Sequence, residues 1–95
     1  MTTLYIGTTQ DGQTRVTVNG CELRSIHTIE HGCSYGWGYH GHGSRYLAEA
    51  LLINLGYSTP EKFITVVSEN VLSRLPKNWQ FTENELRLKF NKYIL

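Results

Sequence analysis

The stretch Arg45-Tyr46-Leu47-Ala48-Glu49-Ala50-Leu51-Leu52-Ile53-Asn54-Leu55 sets the terms for the whole fold. It reads as a helix with apolar side chains in almost every direction and only Glu49 and Asn54 as polar exceptions. A helix of that kind sits in the middle of a structure rather than along its surface. It needs cover on several sides, and a chain of 95 residues must supply that cover within one modest core. Ser44 marks the expected start, its hydroxyl able to accept from amides two or three residues on. Gly56 marks the end, where a left-handed residue is needed.

The cover is readable on both flanks. Leu4 and Ile6 alternate with Tyr5 and Gly7, Asp11-Gly12 offers a turn, and Arg15-Val16-Thr17-Val18 resumes a period of two. Asn19-Gly20 is the strongest hairpin signal, because a type I′ turn needs two residues that tolerate positive φ. A third strand, Cys21 to about Ile26, is expected to fold back beside the second, with Val16, Val18, Leu23 and one side of the first strand facing inward.

On the other flank, Thr59-Pro60 joins an N-cap to proline at the first helical position. Phe63, Val66, Val67, Val71 and Leu75 then form one stripe before Pro76, with Glu61, Lys62, Glu69 and Arg74 on the solvated face. Thr82 and Glu85 make a capping box for a last helix that presents Leu86, Phe90 and Tyr93 or Ile94 at helical spacing. The expected fold class is α+β: a three-stranded antiparallel meander packed against three helices, the first central and buried. It forms a single domain over 1–95, with 1–30 mainly strands, 35–44 a glycine and aromatic loop, and 44–95 mainly helices.

A formal net charge of +1 argues against a strongly acidic DNA mimic and against the basic stripe that extended nucleic-acid binding requires. The apolar run Ala50 to Ile53 is too short to cross a bilayer, and Met1-Thr2-Thr3-Leu4-Tyr5 lacks a basic and an apolar leader region. The expected location is therefore the cytoplasm, with no membrane partner. In that reducing setting Cys21 and Cys33 are expected as free, partly buried thiols.

Chemistry concentrates in Tyr35-Gly36-Trp37-Gly38-Tyr39-His40-Gly41-His42-Gly43-Ser44, which holds four of the nine glycines. So flexible a turn at a helix entry can aim several unpaired N–H groups at one point, which is how an anion pocket is made. The positive helix end favours a nearby exposed anion by about 0.3–1 kcal/mol, and each base stacked on an aromatic face adds about 1–3 kcal/mol. The candidate ligand-binding residues are Trp37 and Tyr39 for stacking, His40 and His42 for the ligand edge, Gly41, Gly43 and Ser44 for backbone or hydroxyl contacts, and Arg45 for charge. No lysine follows the last glycine, as a Walker loop would need, and no strand-helix-strand unit surrounds it, as a dinucleotide fingerprint would need. The competing reading is structural: the glycines let Trp37 and Tyr39 fold under the sheet, with Ser44 as a cap.

His27, His31, His40 and His42 with Cys21 and Cys33 could supply four zinc ligands, but their spacing fits no standard knuckle, so no metal and no cofactor is assigned. His42-Gly43-Ser44 matches one half of the paired His-x-Ser/Thr arrangement of some small phosphoesterases. The second copy is missing, and no catalytic residue is assigned.

The glycine-aromatic block, with Leu47-Ala48 and Ala50-Leu51-Leu52 after it, resembles the signature of a family of small bacterial and phage-borne proteins of unknown function. That signature has the form W-G-Y-x-G-x-G-P ahead of a Leu/Ala-rich helix. Val16-Thr17-Val18 and the late Trp79 are similar in placement, while His42 and Ser44 stand where the family usually has a small polar residue and a proline. The resemblance implies a mobile-element origin and no particular activity.

Together these observations favour a small cytosolic binding protein that holds a phosphate-bearing or nucleotide-type ligand at the loop, with counter-defence sequestration of a host signal as its use. One alternative is a protein–protein inhibitor of a host defence complex, anti-CRISPR-like, with the loop's Tyr and His residues as its hot spot. Another is a small metal-dependent or phosphodiester-cleaving enzyme. The expected partner is a small anionic ligand or a host protein, and the many tyrosines suit a two-fold homodimer.

Overall fold

The computed structural model describes residues 2–24, 35–39 and 41–94. Strands β1 (Leu4–Gln10), β2 (Gln13–Val18) and β3 (Cys21–Glu22) form the expected antiparallel meander. Both turns use the anticipated backbone: Asp11-Gly12 and Asn19-Gly20 have positive φ at both residues. The remainder of the third strand's expected span, beyond Arg24, lies outside the described residues.

The sheet has four strands, not three. Trp79–Thr82 forms β4 and pairs antiparallel with β1, giving the order β3-β2-β1-β4. Trp79-Gln80-Phe81-Thr82 does alternate apolar and polar residues. At four residues, squeezed between Pro76 and the capping box, the segment is too short for its period to stand out. With β4 in place, the inward side of β1 is the Tyr5 and Gly7 side, flanked by Val18 and Val16 on β2 and by Phe81 and Trp79 on β4. Gly7 is there because the Trp79 indole lies directly on it: a Cβ would fall 2.5 Å from Trp79 Nε1.

Helix α1 (His42–Leu55) is the central element, with Leu47, Ala48, Leu51 and Leu52 fully enclosed. One side is nonetheless open, since Ile53 is 60% exposed and Asn54 reaches back to accept the Tyr5 hydroxyl at 2.6 Å. Its end is as expected: Gly56 has φ 88°, and the Gly56 and Tyr57 amides donate to Ile53 O and Leu52 O, the paired bonds of a Schellman motif. Its start is two residues earlier than expected. Ser44 is not the cap but the buried third residue of the helix, where its hydroxyl donates to Tyr39 O at 2.9 Å and ties down the preceding loop.

Helix α2 (Glu61–Asn70) begins one residue after Pro60, whose carbonyl accepts from Phe63 and Ile64. It stops well short of Pro76. A 3₁₀ turn (Leu72–Arg74) follows and lets Leu72 enter the core, and within α2 the deepest positions are Ile64, Val67 and Ser68. Helix α3 (Glu83–Ile94) has the expected capping box: Thr82 N–H donates to Glu85 Oε1 at 2.8 Å and Glu85 N–H to Thr82 Oγ1 at 3.2 Å. Leu86 and Phe90 are buried, Ile94 packs against the core, and Tyr93 turns outward. Arg87 joins two helices by donating to Leu55 O at the end of α1 at 2.6 Å.

Candidate functional site

The loop before α1 is held from three sides. Tyr35 O accepts the Thr14 hydroxyl, Gly38 N–H donates to Leu72 O, and the Trp37 indole N–H donates to Lys77 O at 3.1 Å. Trp37 is only 6% exposed and meets Trp79 edge-on, with ring centroids 5.5 Å apart. It therefore belongs to the core and presents no open face. Tyr39 is the reverse case at 56% exposed, with its ring lying across two glycines. A Cβ on Gly36 would fall 2.9 Å from Tyr39 Cζ, and one on Gly41 would fall 3.0 Å from Tyr39 Cε2. Two of the loop's glycines are thus explained by close approach of one aromatic ring.

What remains is the helix entry. The first intrahelical bond runs from Arg45 N–H to Gly41 O at 3.3 Å, so the amides of His42, Gly43 and Ser44 precede the ladder, as at every helix start. A concavity of about 170 Å³ opens there, lined by Gly41, His42, Ser44, Arg45, Ser68 and Glu69. Four of the sequence-selected residues are thereby brought to one place. Gly43 lies within the same turn, and His40 lies outside the described residues.

The polar groups around this space are partly committed. Arg45 donates through Nη1 to Thr65 Oγ1 at 3.0 Å and pairs through Nη2 with Glu61, which fixes the guanidinium against α2. Ser68 donates to Thr65 O at 3.1 Å, and Ser44 to Tyr39 O, so both hydroxyls keep acceptor capacity. The exposed His42 ring stacks on Tyr46, centroids 6.3 Å apart and 26° between planes. Ser68 and Glu69 form the wall that sequence reasoning missed. Ser68, a polar residue within the apolar stripe of α2, is the signal that could have found it.

The volume sets a limit. Sites for whole drug-sized ligands run from about 300 to 1,000 Å³, so this space admits a phosphoryl-sized group with the rest of a ligand outside. The helix end and Arg45 favour an anion, while the Glu69 carboxylate opposes one and accepts donors. A group bearing both phosphate oxygens and a hydroxyl or ring N–H matches that mixed lining.

His27, His31 and Cys33 lie outside the described residues. Cys21 is a free and exposed thiol rather than a partly buried one. Among the described residues no group of three His, Cys, Asp or Glu side chains is placed to hold a metal ion, and no helix is long and apolar enough to cross a membrane.

No curated protein and no solved structure matches this sequence. A family model does match, over residues 5–91, which takes in every strand and helix described above apart from Leu4 at the start of β1 and the last three residues of α3. The chain belongs to the family of unknown function DUF6166.

Proposed function

We propose that this protein is a small ligand-binding protein that takes a phosphate-bearing, nucleotide-type molecule at the entry of α1. The observation that carries the reading is the concavity beside Ser44, lined by the first turn of α1 with Arg45 on one side and by Ser68 and Glu69 of α2 on the other. The phosphoryl group sits at the amides, a sugar hydroxyl or base N–H donates to Glu69, and the base lies outside, against the exposed His42 and Tyr39 rings. Trp37 supports the loop from beneath rather than touching the ligand. Paired with the mobile-element origin that the sequence resemblance implies, the biological use of such a protein is sequestration of a nucleotide-derived host signal.

The test is thermal melting, with intrinsic tryptophan fluorescence, against mononucleotides, cyclic nucleotides and ADP-ribose. A ligand that binds the folded state at 100 times its Kd adds about 2.7 kcal/mol of stability, which raises the melting temperature of a domain this size by about 10 °C or more. His42→Ala and Glu69→Ala should each remove most of that rise while leaving the ligand-free midpoint in place. Unchanged melting and fluorescence across the whole panel would refute the reading.

A second reading rests on Tyr39, whose large exposure beside the same entry suits an anchor for a protein partner. It predicts that Tyr39→Ala abolishes function in the presence of that partner, with no small molecule altering the melting temperature.

A further inference from the structure

Another concavity, of about 180 Å³, lies between the end of α2 with its 3₁₀ turn and the last two turns of α3. Among the described residues its charged lining is wholly cationic, Arg74, Lys89 and Lys92, with Asn70 and Tyr93 as its polar members. Three of the chain's nine basic residues meet here on a protein whose net charge is only +1, and among the described residues no carboxylate lines the space. Lys89 stands over the Phe81 ring at 5.0 Å, a contact that holds the ammonium in place without neutralising it. Its charge also reaches Glu85 one turn earlier, outside the lining. Among the described residues, neither Arg74 nor Lys92 makes an ion pair.

Compensation of helix ends does not use up this charge. Helix α2 ends at Asn70 and α3 at Ile94, and each carbonyl end carries about half a negative charge, leaving an excess of about two positive charges. We propose that this concavity is an oxyanion site, separate from the entry of α1, that takes a phosphoryl or diphosphoryl group. Arg74 and Lys92 are the principal contacts, Lys89 completes the field, and the Tyr93 phenol, 42% exposed, stands at the rim as a donor. The space is too small for a whole nucleotide and suits the anionic end of a ligand. The three cations are exposed to solvent, so affinity depends strongly on ionic strength.

The experiment is calorimetric titration of the intact chain with inorganic phosphate and pyrophosphate at fixed ionic strength in chloride. Pyrophosphate should bind more tightly than phosphate, since it can engage all three cations at once. Arg74→Gln with Lys92→Gln should weaken pyrophosphate by about 100-fold, roughly tenfold for each charged contact removed. Arg74→Lys with Lys92→Arg should stay within a few-fold of the parent, and the backbone amide resonances of 70–75 and 89–93 should move as pyrophosphate is added. All three residues are exposed, so the melting temperatures of these variants should match the parent, and Lys89→Gln alone provides a milder version of the same test. Absence of pyrophosphate binding, equal binding by the doubly neutralised variant, or resonance shifts confined to 42–45 would each overturn the assignment. The last result would move the anion to the α1 entry, so failure here is distinguishable from failure there.

Discussion

Replacing Gly7 with alanine tests the architecture at its tightest point. Glycine-to-alanine changes at backbone positions that tolerate a side chain usually stabilise by about 0.4–1 kcal/mol through the unfolded chain. At Gly7 the sign reverses, because the new Cβ falls 2.5 Å from Trp79 Nε1 and closer still to Cε2 and Cζ2. Favourable carbon contacts lie at about 3.5–4.0 Å, so the overlap is an ångström or more. The indole has no easy retreat: Trp37 meets it edge-on at 5.5 Å, and Phe81 stacks on it at 5.7 Å. Overpacking of this kind costs about 1–3 kcal/mol, and the rigid aromatic cluster puts Gly7→Ala at the upper end. Set against the gain through the unfolded chain, the net loss is about 2 kcal/mol, a fall of about 8–16 °C in melting temperature for a domain of this size. Urea melts followed by tryptophan fluorescence measure the loss directly. Trp79→Phe, which removes the clashing indole atoms, should couple to Gly7→Ala by at least about 1 kcal/mol in a double-mutant cycle. Equal or greater stability of Gly7→Ala, or strict additivity with Trp79→Phe, would refute the placement of β4 beside β1.

Four further outcomes follow from the polar contacts. Thr82→Ala removes the acceptor of the Glu85 amide and should cost about 0.5–2 kcal/mol in urea melts. The Thr82 backbone N–H, which the Glu85 carboxylate accepts, and then the Thr82 hydroxyl hold that carboxyl below the usual carboxylate range, so its contribution is complete above that range and lost as pH falls through the lowered value; Glu85→Gln should flatten the acid limb of a melting-temperature profile. Burial, then the Glu83 charge, pushes the Tyr5 phenol above its ordinary value, so the unfolded chain ionises first and stability declines as pH rises past about 10. Tyr5→Phe should remove that alkaline decline and, by losing the bond to Asn54, cost about 1 kcal/mol at neutral pH. Arg87→Gln frees the Leu55 carbonyl, and hydrogen exchange at Gly56 and Tyr57 should quicken while α3 stays protected.

The elements with strong local chemistry were legible in the sequence. Asn19-Gly20, Gly56 and the Thr82–Glu85 box each encode a backbone requirement within a few residues, and each sits where that requirement predicts. The miscarried expectations are those set by distant contacts. β4 depends on pairing with β1 some seventy residues away, and nothing local marks it beyond a four-residue alternation. Ser44 has the chemistry of a cap, but the loop it anchors draws the helix start back to His42. The same holds for the candidate site. Sequence selected the helix entry but could not tell that Trp37 would join Trp79 in the core, while Tyr39 would lie outside over Gly36 and Gly41. The cationic concavity escaped notice because Arg74 and Lys92 are eighteen positions apart and the net charge is close to zero.

The measurement closest to the central claim is the movement of the backbone amide resonances of Gly43, Ser44 and Arg45 during titration with AMP and with ADP-ribose. A saturable shift centred on those amides, with a matching change at Ser68 and Glu69 and its loss in His42→Ala, is the predicted result. Resonances at 42–45 that stay fixed at saturating ligand, while those at 70–75 and 89–93 move, would contradict the reading of the α1 entry as the binding site.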